Sequence, residues 1–314
     1  MASTGLAEAE DQELIRIDGK WVKLPPPQQG TPAGELAIVR RDMDKKDYAK
    51  AVKHAKRFLK RYPADPLAEE AMALAGDAQM QRGRYWDAYK LYERQLRRHP
   101  AGMLADRSID REMEIARAWL GGRKRRLAGT LLISAREDAL ELLEKIAERA
   151  TGSDRGQTAL LTIADHYFDN AKWTAAADVY DSFLKLYGNS PRAAHADLRA
   201  AEAYRRSYRG SAWDETPLIE AEQRYKAFAM RHPVAARKAA VEQILWEIHE
   251  DRAAKQYAVG QFYLRMSQSD AATHYFKIVV SEYADTAWAG QAQAAMAQLQ
   301  AGPPTESGAE PTPE

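Results

Sequence analysis

Cysteine is absent from the 314 residues. That removes disulfides, thiolate metal sites and cysteine nucleophiles at one stroke. No apolar run approaches the ~20 residues that a membrane-spanning helix needs. The segment from Met1 to Glu13 is polar and acidic, so it offers no apolar core of a secretory leader. An excess of charge of either sign is also missing, because 46 Lys and Arg balance 45 Asp and Glu. Without a basic excess the sequence does not read as a nucleic-acid binder. What is plentiful is Ala, Leu, Glu, Lys and Arg. With hydrophobic residues at 45% and charged residues at 29%, the composition favours helices with a buried face and a solvated one.

Catalytic patterns are equally scarce. No glycine-rich phosphate loop follows a predicted strand; Gly121-Gly122 opens a basic run instead. Serines lack the context of a nucleophile elbow, and nothing in the pattern sets two carboxylates into an apolar pocket. The seven histidines are scattered, and His249-Glu250-Asp251 has no second histidine at i+4 to put two ligands on one helix face. The sequence therefore predicts no enzyme, no metal and no cofactor.

The ends differ from the middle. Asp18-Gly19 between Leu14–Ile17 and Trp21–Leu24 is a two-residue hairpin signal, and Pro25-Pro26-Pro27 is a stiff spacer. Residues 1–32 are thus predicted to form a hairpin or extended segment with a linker. Residues 302–314, rich in proline, are predicted to form a disordered tail.

Between them, residues 33–301 repeat. Gly76, Ala88, Tyr92 and Pro100 are spaced by 12, 4 and 8 residues, and so are Ala164, Ala176, Tyr180 and Gly188, and Gly260, Ala272, Phe276 and Ala284. Val39, Ala51, Ala55 and Pro63 form a looser first copy. Each unit reads as two antiparallel helices, neither able to bury its apolar face alone. The small residue lets the second helix approach, and the aromatic one turn beyond the alanine fills the space. Tyr62, His99, Tyr187, His232 and Tyr283 are expected to close second helices. This is the tetratricopeptide pattern. The predicted fold is all-α, a right-handed tetratricopeptide-type solenoid of five to six helix pairs.

Two copies carry insertions. Arg123, Lys124, Arg125 and Arg126 precede the apolar stretch Leu131–Ile133, read as an interhelical loop whose apolar end packs on the helices; a contact with an anionic surface is the alternative role for these four cations. Residues 209–217 form the second insertion, with the next helix starting at Pro217. A helix of about 235–249 is expected before the last copy, and a capping helix near 288–300. Trp119, Trp213, Trp246 and Trp288 are read as packing residues. Met43, Asp77, Met80, Asp165 and Phe168 recur on the first-helix inner face, which lines the concave groove of this architecture, and they are the candidate partner-binding residues.

The second half resembles a known family. Asp214-Glu215-Thr216-Pro217, Ala221, Tyr225 and Arg231-His232-Pro233 are followed by Tyr257–Leu264, Ala271-Ala272, Ile278-Val279 and Tyr283–Thr286. In this order and spacing they are similar to the BamD family of outer membrane protein assembly lipoproteins. Tyr48–Ala51 and Arg61–Pro66 resemble that family's opening repeat. The resemblance covers roughly residues 34–300. It implies a periplasmic, outer-membrane-associated scaffold that binds outer membrane protein substrates and subunits of a barrel-assembly complex. The chain departs from the family pattern in having no lipid-bearing cysteine, in Ala284 where proline is usual, and in the basic insert and the N-terminal hairpin. Membrane association is then expected only through a partner or a lipid anchor outside this chain. The alternative is another periplasmic or cytoplasmic tetratricopeptide adaptor, for instance in cell-envelope division.

Overall fold

The structure, a computed structural model, describes residues 14–17, 20–23, 28, 30–127 and 131–301, with the backbone alone at 14–17, 20–23, 126, 127 and 301. The expected disordered tail, the Asp18-Gly19 turn and Pro25–Pro27 lie outside the described residues. Two compact units are present, Met1–Ile146 and Ala147–Glu314.

In the first unit, β1 (Leu14–Ile17) pairs antiparallel with β2 (Lys20–Lys23), Ile17 opposite Lys20. Helices α1 (Pro32–Asp44) and α2 (Tyr48–Arg61) follow, then α3 (Ala68–Gln81), α4 (Tyr85–Arg98) and α5 (Ala105–Leu120). A second hairpin, β3 (Lys124–Leu127) with β4 (Leu131–Ser134), leads into α6 (Arg136–Arg149), whose last turn enters the second unit. That unit holds α7 (Asp154–Asp169), α8 (Trp173–Tyr187), α9 (Ala193–Ser207), α10 (Thr216–Arg231), the short α11 (Pro233–Lys238), α12 (Val241–Arg265), α13 (Ser269–Glu282) and α14 (Ala287–Ala301). Consecutive helices pack on one another in antiparallel pairs, α1 with α2, α3 with α4, α7 with α8 and α12 with α13. The fold is the all-α, tetratricopeptide-type fold that the repeats predict.

Local chemistry sets the boundaries. The side chains of Thr31, Asp47 and Ser153 accept hydrogen bonds from the amides of Gly34, Lys50 and Gly156, capping α1, α2 and α7. Inside a pair, the turn is the same each time. Lys46, Gly83, Ala171 and Ser267 take positive φ values of 57°, 69°, 56° and 59°. The next residue's amide then reaches back five residues, as from Arg84 to the Gln79 carbonyl or from Lys172 to that of Tyr167. Only Gly83 adopts this left-handed turn without a Cβ penalty. Tyr62, His99, His232 and Tyr283 terminate their helices at φ near −130°, each amide bonded to the carbonyl four residues back. Tyr187 is instead the last residue of α8, with Gly188 following it.

The helix pairs close because one position is kept small. A Cβ on Gly76 would lie 2.5 Å from the Tyr92 ring, and one on Gly260 the same distance from the Phe276 ring. Both rings are almost completely buried. The repeat therefore encodes a ring seated directly on the backbone of the opposing helix, a contact that a methyl group would prevent.

Two expectations are corrected. The interhelical loop at 123–134 is a β-hairpin, and its apolar end does not pack on the helices: Leu131 and Leu132 are 59% and 55% exposed. The helix expected at 235–249 is divided, because Ala240 takes a left-handed φ of 51° after the short α11. Past that kink nothing interrupts the helix, and α12 runs for 25 residues into the last repeat.

Candidate partner-binding site

The first-helix residues predicted to meet a partner fall into two related clusters, one in each unit. In the first, the Tyr92 hydroxyl donates to Asp77 Oδ1 at 2.8 Å, while Arg111 Nε donates to the same oxygen at 3.0 Å and Arg107 pairs with Oδ2. Asp77 is buried. Burial, followed by the negative charge of Asp77, pushes the Tyr92 phenol well above its usual range. In the second, the Tyr180 hydroxyl donates to Asp165 Oδ1 at 2.5 Å, His195 Nε2 lies 3.8 Å from that oxygen, and Arg199 Nε reaches the Tyr180 hydroxyl at 3.4 Å. Burial raises the Asp165 carboxyl, but the hydrogen bonds from His195 and Tyr180 outweigh it and hold the carboxyl below its ordinary value.

The two clusters share one register. Tyr92 follows Asp77 and Tyr180 follows Asp165 by 15 residues, while Arg111 lies 34 residues beyond Asp77, the spacing that also separates Asp165 from Arg199. Thirty-four residues is one repeat, so each arginine comes from the first helix of the next pair. Arg192, at the start of α9, reaches Thr158 of α7 across the same offset, whereas Arg231 of α10 binds Asp197 of α9 within one pair. The carboxylate is thus held jointly by the second helix of its own pair and by the neighbouring repeat. Single-repeat phasing did not reveal these arginines. Comparing residues one full repeat apart is the signal that finds them.

Of the five predicted contact residues, Asp77 and Phe168 are buried. Phe168 lies under Arg199, whose guanidinium carbon is 3.4 Å from the ring centroid, and packs edge-on against Trp173. Met43 is partly buried against the α1–α3 core. Met80 and Asp165 are likewise half-buried. Met80, Asp77, Arg111, Glu114, Tyr85 and Arg123 surround a pocket of about 550 Å³ in the first unit.

The basic run is spent differently from a free loop. Arg123 stacks on Tyr85 at 4.7 Å, and Arg125 stacks on Trp86 at 4.8 Å while its Nε donates to Asp138 at 2.6 Å. Lys124 is exposed. The side chain of Arg126 lies outside the described residues.

A larger depression of about 720 Å³ lies in the second unit, lined among others by Arg237, Leu245, Trp246, His249 and Asp285. Trp246 is 40% exposed and 5.7 Å from the His249 ring, which in turn packs on Tyr283 at 4.8 Å and binds Asp285 at 3.0 Å. Trp119 and Trp288 serve packing as predicted, whereas Trp213 and Trp246 are exposed. Below this surface, Arg252 pairs with Glu222 at 2.5 Å and Lys255 donates to the carbonyls of Ser211 and Trp213, tying the 209–217 insertion to α12. Burial raises the Tyr208 phenol to about 12.

Among the described residues, no three His, Asp or Glu side chains converge as a metal site, and no helix is long and apolar enough to cross a membrane.

Comparison with known proteins adds a family match: residues 131–303 fit YfiO, outer membrane lipoprotein. None of the curated proteins matches. Among solved structures, a tetratricopeptide repeat protein from Parabacteroides merdae is similar at 16% identity over 80% of this chain and 92% of that one, with a TM-score of 0.36. The C-terminal part of a repeat-containing protein from Cytophaga hutchinsonii is similar at 13% identity, covering 81% and 84%, with a TM-score of 0.39.

Proposed function

Because this chain belongs to the YfiO family of outer membrane lipoproteins, the BamD family, we propose that it is a periplasmic scaffold of outer membrane protein assembly. In this role it is a non-catalytic tetratricopeptide protein that binds other proteins. Its partners are segments of outer membrane proteins awaiting insertion and subunits of the barrel-assembly complex. The observation that carries the reading is the family match, which spans β4 through the last repeat and so includes every helix pair of the second unit.

The chemistry of the surface supports a division of labour. The depression around Trp246 combines an exposed aromatic with Arg237, His249 and Asp285. A flat indole bordered by charges of both signs suits a folded partner module, since aromatic anchors ringed by polar groups dominate such contacts. Within the first unit, the half-buried Met43 and Met80 suit an extended segment. Asp77 acts on that segment indirectly, by fixing Arg107 and Arg111.

Affinity purification of the tagged chain from its own cells, with mass spectrometry of the recovered proteins, tests the assignment. Barrel-assembly subunits are expected, together with their reduction in a Trp246→Ala variant that retains its helical spectrum. Recovery of cytoplasmic proteins with no barrel-assembly subunit would sink the proposal.

A further inference from the structure

The β3–β4 hairpin has a composition unlike the rest of the chain. Residues 121–135 contain four basic residues and no acidic one. Its base is fixed: Arg123 and Arg125 lie on Tyr85 and Trp86 of α4, and Arg125 is bonded to Asp138 of α6. Trp86 itself packs on Tyr89 and Trp119, so the hairpin stands on an aromatic cluster. Stacking on a ring leaves a guanidinium its charge, and Arg123 stays exposed beside Lys124.

The outer strand has the opposite character. Leu127 faces Leu131 and Arg126 faces Leu132 across the ladder, so Leu131 and Leu132 project from opposite faces of the ribbon. Both are more than half exposed. Beyond its fixed base, the ribbon shows a leucine to solvent on each face. Exposed leucines beyond the exposed cations Arg123 and Lys124 match the layered order of an anionic membrane surface, with phosphates outside and acyl chains beneath.

We propose that this hairpin seats the first unit on an anionic phospholipid surface, Leu131 and Leu132 entering the interface and Arg123 and Lys124 meeting the phosphates. The contact orients the chain on the bilayer; two leucines and a few cations give reversible binding, not permanent anchoring. It does not depend on which proteins the scaffold holds. A protein strand added along β4 is the competing use of the same ribbon, and it predicts no response to lipid.

The absence of cysteine makes the test clean. Leu132→Cys and, as a control on exposed α2 surface, Lys56→Cys each give one attachment point for an environment-sensitive fluorophore. The full chain labelled at 132 is expected to brighten and shift to the blue with phosphatidylglycerol vesicles. It should respond weakly to phosphatidylcholine, lose the shift in high salt, and show none at 56. Adding Lys124→Gln should weaken the apparent affinity about fivefold, the factor for one basic residue at such a surface. No shift at 132 with phosphatidylglycerol, or an equal shift at 56, overturns the proposal.

Discussion

The junction of α3 and α4 and that of α12 and α13 are built on one plan with different endings. In both, a glycine admits an aromatic ring to the opposing backbone, Gly76 to Tyr92 and Gly260 to Phe276. At the first, the ring ends in a hydroxyl bonded to Asp77, which the next repeat holds through Arg111. At the second there is no hydroxyl, the residue after the glycine is Gln261, and the position one repeat on is the buried Ala295. Gln261 turns to the Tyr257 hydroxyl, at 2.9 Å. The packing of the pair and the polar lock between repeats are therefore separable. The first is common to these two pairs; the second is present where a polar first-helix face continues into another repeat.

The largest effect should strike both junctions alike. Gly76→Val and Gly260→Val each force a side chain into a ring already seated at contact distance, and each should cost about 3 kcal/mol in urea unfolding. An effect at only one junction would break the shared plan. Next, Tyr92→Phe removes a hydrogen bond to a buried carboxylate and should cost about 2 kcal/mol, seen as faster hydrogen exchange in α3 to α5. The converse change sharpens the contrast. Phe276→Tyr adds a buried hydroxyl without a carboxylate and should destabilise by about 1 kcal/mol, and Gln261→Asp in the same chain should recover that loss. If the double variant is no better than the single one, the polar lock depends on more than the register.

The smallest effect concerns acid. The folded-state pKa of Asp165 lies below the ordinary 3.8, so its stabilising contribution is present above that value and is lost as pH falls through the folded one. Asp197, pushed up by burial that Arg231 does not offset, has the opposite sign: its charged form is the penalised one, and acid relieves it. Asp165→Asn should therefore flatten the decline in stability of the second unit below about pH 4. An unchanged pH profile would show that the Tyr180 and His195 contacts do not stabilise the carboxylate.

Much of this was legible in the sequence, and the reason is steric. Ring-on-glycine packing needs fixed spacings, so Gly76, Ala88 and Tyr92 announce themselves within one repeat. The polar lock is written across two repeats, and single-repeat phasing hides Arg111 and Arg199. The hairpin at 124–134 escaped because its cations suggested a solvated loop, while ring stacking on Tyr85 and Trp86 gave them a structural use. Trp213 and Trp246 are exposed where the sequence suggests packing, because hydrophobicity alone does not distinguish a buried indole from an exposed one. The long α12 was missed because a new repeat ordinarily begins with a turn, and no turn residue had to be present for the old helix to continue.

That helix has a mechanical meaning. At 1.5 Å per residue, 25 residues make a rod of about 37 Å. α10 and α11 pack on it, and so do α13 and α14. Elsewhere a turn between repeats acts as a joint, but here the joint has been replaced by a beam. From His249, bonded to Asp285, to Gly260, seated under the Phe276 ring, α12 is unbroken, so the closing repeats are strung on one continuous backbone element instead of two joined by a turn.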